Sequence, residues 1–147
     1  MKIIKNRVLI AEKDAVISKN LSDILIGKGF IVEAVVDNAI DAITKSNILK
    51  PDLIILGVLL HGALSGIEAA KIISYKNDVR IIFLADKFSI NLLKKDSNFG
   101  SSIIIDKLLN PKDILNAIER TNLIPNYNDL IKNSIDSSQR DENITKV

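Results

Sequence analysis

The chain has 147 residues, a length that suits a single domain. Its net charge of +2 is too small to predict nucleic-acid binding by itself. The sequence contains no cysteine, which excludes disulfides and thiolate metal sites, and its one histidine, His61, excludes a histidine-rich metal site. No stretch approaches the roughly 18 apolar residues of a membrane span, and charges interrupt the apolar N-terminus. We therefore expect a cytoplasmic protein without a signal sequence.

Short apolar runs alternate with amphipathic segments from residue 7 to about residue 120. Strands are predicted over 7–11, 30–36, 53–56, 79–84 and 102–105. Helices are predicted from residue 15 to the glycines at 27–29, over 38–46, from residue 66, over 89–97 and from Pro111. Asp14 and Ser65 precede two of these helices and are expected to be their N-caps. Gly66 is expected to allow a close backbone approach beside its helix start.

This alternation of strands and helices predicts an α/β fold with five parallel strands. The expected architecture is the flavodoxin-like (βα)5 doubly wound sheet with strand order 2-1-3-4-5, whose ligands bind beyond the carboxyl ends of the strands. The composition becomes polar near the end of the chain. We predict a domain over 1–122 and a tail over 123–147, in which residues 127–135 could form one short helix and the rest is disordered.

Residues 7 to about 120 resemble a response-regulator receiver domain of the CheY-like superfamily, the phosphorylated switch of two-component signalling. The anchors are VLIAEKD at 8–14, PDLIIL at 51–56, SGIE at 65–68, IFLA at 82–85, Gly100 and Lys107. Their order and separations match the family closely. The resemblance therefore implies the same fold that the alternation of strands and helices predicts.

The resemblance also implies a phosphorylation pocket that needs five groups. Two acidic residues after strand 1 and a phosphoacceptor aspartate after strand 3 hold Mg²⁺, while a hydroxyl after strand 4 and a lysine after strand 5 bind phosphoryl oxygens. At these positions the chain has, in the same order, Glu12, Lys13, Gly57, Ala85 and Lys107, and Ile104 stands at the switch-aromatic position. Only Glu12 and Lys107 match. We therefore expect a degenerate pocket with no catalytic residue, metal or cofactor.

The favoured interpretation is a pseudo-receiver that works without phosphorylation as a protein–protein interaction module in bacterial two-component signalling. Its partner would be a signalling kinase, a phosphotransfer protein, a regulator or a second copy, bound through helix 1 or the face of helix 4, strand 5 and helix 5. No nucleic acid or membrane is expected to bind. The alternative is a small-molecule or anion sensor that uses the emptied pocket.

Two further classes of function fit the sequence less well. An enzyme is disfavoured because no glycine-rich phosphate loop follows strand 1 and no Ser-His-Asp or Cys-His set is visible. A fragment of a transcription regulator is disfavoured, unless the chain is truncated, because no output domain is expected within these 147 residues.

Several pocket residues also have simpler interpretations. Lys13 could point into solvent, and Glu12 and Lys107 could be relics of ancestry that merely form an ion pair. Asp86 could lie near the pocket mouth, although solvent exposure is favoured. We predict that Lys13 or Lys107 pairs with Glu12, so that an internal ammonium group takes over part of the neutralising role of the metal.

Overall fold

The computed structural model describes residues 5–121, in which five strands and five helices alternate strictly. The strands are β1 (Arg7–Ala11), β2 (Ile31–Val36), β3 (Leu53–Gly57), β4 (Arg80–Ala85) and β5 (Ile104–Asp106). The helices are α1 (Ala15–Gly27), α2 (Ala39–Leu49), α3 (Gly66–Lys76), α4 (Ser89–Lys94) and α5 (Pro111–Glu119). In this part of the chain, no helix is long and apolar enough to span a membrane.

The strands form one parallel sheet in the order β2-β1-β3-β4-β5, which confirms the predicted fold class and topology. The central strand β3 is buried along its whole length, and β1 is buried at four of its five residues. Helices cover both faces of such a sheet, so its central strands need apolar side chains at successive positions. The unbroken apolar sequences of β1 and β3 meet this requirement.

Two apolar clusters lie on opposite faces of the sheet. Successive side chains of a strand point to opposite faces, so β1 sends Val8 and Ile10 to one cluster and Leu9 and Ala11 to the other. Helices α1 and α5 close the first cluster, and α2, α3 and α4 close the second. The helices on the two faces hold the parallel strands in place, so that the carboxyl ends of the strands lie along one edge of the sheet.

Both predicted N-caps are confirmed. The carboxylate of Asp14 accepts hydrogen bonds from the backbone N–H groups of Val16 and Ile17 at the start of α1. Ser65 and Glu68 form a capping box, in which each side chain accepts from the backbone N–H of the other residue. These caps satisfy N–H groups that a helix start leaves without an intrahelical partner.

The expected close approach at Gly66 is also present. The backbone N–H of Gly66 donates to the carbonyl oxygen of Val58 at 2.8 Å. A Cβ atom placed on Gly66 would overlap the carbonyl oxygen of Gly57. Glycine is therefore required where α3 begins against the end of β3.

Two helix ends differ from the prediction. Helix α4 stops at Lys94 instead of residue 97, because the Asp96 side chain accepts from the backbone N–H groups of Asn98 and Phe99 and forms a turn there. Helix α2 continues to Leu49 instead of residue 46. The predicted strand bounds are shifted by one or two residues at β2, β4 and β5. The predicted boundary at residue 122 and the short helix over 127–135 lie outside the described residues.

Candidate functional site

The predicted pocket positions meet at the carboxyl edge of the sheet. Glu12 directly follows β1, Gly57 and Ala85 end β3 and β4, and Lys107 directly follows β5. The strand order places β3 and β4 between β1 and β5. Glu12 and Lys107 therefore lie three strand spacings apart, a distance of about 14 Å between their strands.

Glu12 and Lys107 nevertheless form an ion pair across the two intervening strands. The Nζ atom of Lys107 lies 3.3 Å from Oε2 of Glu12. The Glu12 side chain is fully buried, and the Lys107 side chain is only 12% exposed. Gly57 and Ala85 end the two intervening strands and carry no side chain larger than a methyl group. They therefore leave room for the contact between Glu12 and Lys107. The prediction that one of two lysines pairs with Glu12 is confirmed for Lys107.

Lys13 does not take part in this pair. Its side chain is exposed, so the prediction holds for Lys107 alone and the simpler interpretation of Lys13 is the correct one. The backbone next to it does contribute, because the N–H of Asp14 donates to Oε2 of Glu12 at 2.9 Å. The backbone N–H of Glu12 donates to the carbonyl oxygen of Val36 and ties this residue to β2.

The carboxylate of Glu12 fills the space beside Gly57. A Cβ atom placed on Gly57 would lie 2.7 Å from Oε1 of Glu12 and 3.3 Å from the carbonyl oxygen of Ala11. A side chain at position 57 would therefore require the Glu12 carboxylate to move.

The residues present do not fit a magnesium ion. Mg²⁺ prefers near-octahedral coordination by oxygen ligands and is usually held by one or two carboxylates with waters. Residues 5–121 contain no group of three or more His, Cys, Asp or Glu side chains that could hold a metal ion. Gly57 and Lys13 supply no carboxylate, and Oε2 of Glu12 is already engaged by Lys107.

Asp86 is exposed and organises the start of α4. Its Oδ1 accepts hydrogen bonds from the backbone N–H groups of Phe88 and Ser89 and from the Ser89 hydroxyl, at 2.8–3.1 Å. Hydrogen bonds from Ser89, first from its backbone and then from its hydroxyl, hold the pKa of Asp86 below its usual value. The favoured interpretation of Asp86, solvent exposure, is the one that the structure supports.

The remaining predicted positions lie close to the pocket without entering it. Ile104 is partly buried and packs on the face of the sheet that α2, α3 and α4 cover. His61 is exposed, and its backbone N–H donates to the carbonyl oxygen of Asp37. Neither residue contributes a polar group to the pair of Glu12 and Lys107.

One feature beside the pocket does not follow from the sequence pattern. An apolar groove of about 580 Å³ is lined by Ile17 of α1, Phe88 before α4 and Leu108 after Lys107. Four charged residues also line it, the acidic Asp86 and Asp106 and the basic Lys87 and Lys107. We call it the docking groove. Leu108 is 88% exposed.

The family model for the response regulator receiver domain matches residues 8–119. The DNA-binding response regulator MtrA of Mycobacterium tuberculosis is 28% identical over 115 residues, which are 78% of this chain and 50% of MtrA. The chain thus spans about half the length of the curated relatives it matches.

Solved structures have the same fold. The receiver domain of the response regulator PhyR from Erythrobacter litoralis is 22% identical, with a TM-score of 0.71 over 80% of this chain and 89% of that chain. The anti-anti-sigma factor PhyR from Bartonella quintana is 23% identical, with a TM-score of 0.66 over 80% and 46%. The family match over residues 8–119 therefore places the chain in the response-regulator receiver domain family of two-component signalling, and the observed fold agrees with it.

Proposed function

We propose that this receiver domain acts without aspartyl phosphorylation, as a non-enzymatic module that binds another protein in two-component-type signalling. The observation that carries the proposal is the position of Gly57 at the end of β3, beside the buried carboxylate of Glu12. Glycine has no side chain that could accept a phosphoryl group. The Glu12 carboxylate lies 2.7 Å from the point where such a side chain would begin.

The ion pair of Glu12 and Lys107 supports the same conclusion. A ligand shifts a two-state equilibrium only when it binds the two states with different affinity. Here Lys107 is the internal partner of the one acidic residue that the pocket retains. The domain is then held in one state, and its activity depends on which protein it meets.

The docking groove is the surface that we assign to the partner. Exposed contiguous apolar surface on a soluble domain marks an interaction site. Phe88 and Leu108 are both exposed, and the groove carries two acidic residues, Asp86 and Asp106, and two basic ones, Lys87 and Lys107. A partner segment with apolar side chains flanked by groups of both charges would match this surface. Such a role would parallel that of the solved relative described as an anti-anti-sigma factor.

The first test is chemical phosphorylation. The full chain is incubated with acetyl phosphate and Mg²⁺ and its intact mass is measured, beside a receiver domain that has the phosphoacceptor aspartate. We expect no mass gain for this chain and a gain of one phosphoryl group for the control. A hydroxylamine-sensitive gain on this chain would show an acyl phosphate and overturn the proposal.

The second test addresses the docking groove. The wild-type chain and the variant Leu108→Glu are used to capture proteins from an extract of the native cells. Ile26→Glu is the matched control, because Ile26 lies at the far end of α1 and does not line the groove. We expect a partner that wild type and Ile26→Glu retain and Leu108→Glu loses. Equal capture by all three chains would rule out the groove as the binding surface.

A further inference from the structure

A second apolar surface lies on α2 and α3, away from the docking groove. Ile40 and Ile48 of α2 are 60% and 68% exposed, and Tyr75 of α3 is 90% exposed. Ile72 of α3 is also exposed. We call these four residues the α2–α3 patch. Large apolar side chains exposed on two adjacent helices mark a candidate interaction surface.

The two helices present these side chains side by side. Helices α2 and α3 pack together, and the side-chain amide of Asn77 donates to the amide oxygen of Asn47 at 3.1 Å. This bond sets the C-terminal ends of the two helices level. Ile48 directly follows Asn47, and Tyr75 lies two residues before Asn77, so both exposed side chains belong to the helix ends that this bond joins.

We propose that the α2–α3 patch binds a second copy of this chain through an antiparallel pair of α2 helices related by a two-fold axis. The exposed residue Thr44 lies midway between Ile40 and Ile48, four residues or about 6 Å along the helix from each. A two-fold axis at the level of Thr44 therefore places Ile40 of one copy beside Ile48 of the other, and the reverse.

The charges on α2 fit the same symmetry. Asp41 and Lys45 are exposed and follow Ile40 and Thr44 on one flank of the apolar stripe. The two-fold axis keeps this flank on the same side in both copies, so Asp41 of one copy lies about 3 Å along the helix axis from Lys45 of the other. Each dimer then gains two pairs of opposite charge. This complementarity favours a second copy over a partner of unrelated surface.

The size of the α2–α3 patch determines the affinity that we expect for the dimer. Stable protein interfaces bury about 800 Å² on each partner. One stripe of a short helix with two side chains of α3 provides less than this, so we expect a dissociation constant of the order of 10–100 µM. The dimer uses a different face from the docking groove and does not depend on the proposed function.

Analytical ultracentrifugation of the full chain from about 10 µM to about 1 mM tests the proposal. We expect wild type to pass from monomer to dimer. Ile40→Lys should weaken the dimer at least about tenfold, because it buries a charge in the apolar contact. Ile26→Lys is the matched control, since Ile26 is a helical isoleucine with a similar exposure of 57% but lies on α1.

Charge-reversal variants test the two-fold symmetry of the proposed dimer. Asp41→Lys and Lys45→Asp should each weaken self-association, because each places like charges opposite one another across the axis. A mixture of these two variants restores both opposite-charge pairs and should form a heterodimer tighter than either homodimer. Circular dichroism verifies that each variant folds, because Asp41 also accepts from Asn38 at the start of α2.

Three outcomes would overturn the proposal. The first is a wild-type chain that remains monomeric at every concentration. The second is a dimer that Ile40→Lys and Ile26→Lys weaken equally, which would show another interface. The third is a mixture of the two charge variants that associates no more tightly than either variant alone.

Discussion

The two oxygens of the Glu12 carboxylate have very different surroundings. Oε2 accepts from the backbone N–H of Asp14 and faces the ammonium group of Lys107, whereas Oε1 is buried without a hydrogen-bond partner in residues 5–121. A buried acceptor without a partner costs about 1–3 kcal/mol. The ammonium group of Lys107 is thus the main compensation for a charge that is removed from water.

Lys107→Met should therefore destabilise the domain by about 3 kcal/mol, because it leaves the carboxylate of Glu12 buried and unpaired. Urea unfolding measures this change. The double variant Glu12→Gln with Lys107→Met removes both charges, and we expect it to be within about 1 kcal/mol of wild type.

Lys19→Met is the matched control for this prediction. Lys19 forms an exposed ion pair with Asp23 at 3.2 Å, and such a pair contributes only about 0–1 kcal/mol. If Lys107→Met and Lys19→Met cost the same, the carboxylate of Glu12 must reach water when Lys107 is removed.

At the scale of elements, α4 is the helix with the least local support. It spans only six residues, and the side chain of its N-cap residue, Phe88, makes no hydrogen bond to its first turn. Asp86 replaces the missing cap from two residues further back, since it accepts from Phe88 and Ser89. The start of α4 thus depends on one ionised carboxylate.

This dependence predicts an effect of pH. The pKa of Asp86 is lowered in the folded state, so its contribution to stability is present above about pH 4, the usual range of an unfolded aspartate, and is lost as the pH falls further. Asp86→Asn should be less stable than wild type at neutral pH. The difference should shrink in acid, where wild type loses the charge as well. Urea unfolding at a series of pH values checks this.

Asp78→Asn provides the comparison for the pH series. Asp78 is an exposed aspartate two residues before β4, and we expect its replacement to have little effect at neutral pH. A difference between Asp86→Asn and wild type that stays constant down to about pH 2 would mean that the charge of Asp86 does not hold α4.

The reliability of the sequence predictions differs between elements for physical reasons. Helices α1 and α3 were located correctly at their starts because Asp14 and Ser65 are residues that cap helices through their own side chains. The end of α4 was wrong because Asp96 stops that helix through a side-chain turn. Aspartate occurs both within helices and in turns, so its identity alone does not distinguish the two.

For the whole molecule, the topology and the membership of the pocket could be predicted from the sequence. Alternating strands and helices give a parallel sheet, and residues that follow its strands share one edge. Whether Lys13 or Lys107 pairs with Glu12 depends on the direction in which each side chain leaves the end of its strand, and the sequence pattern does not give that direction. The docking groove could not be predicted, because the exposure of Phe88 and Leu108 depends on the paths of two loops.

The ion pair of Glu12 and Lys107 also has a consequence for the order of folding. Its two residues are 95 positions apart in sequence, and β3 and β4 lie between their strands. The contact can form only after the sheet has closed from β1 to β5, so it belongs to the last steps of folding. Lys107→Met should therefore accelerate unfolding in stopped-flow measurements and leave the refolding rate nearly unchanged. If Lys107→Met instead slowed refolding by a factor similar to its effect on unfolding, the two ends of the domain would have to meet before the rate-limiting step.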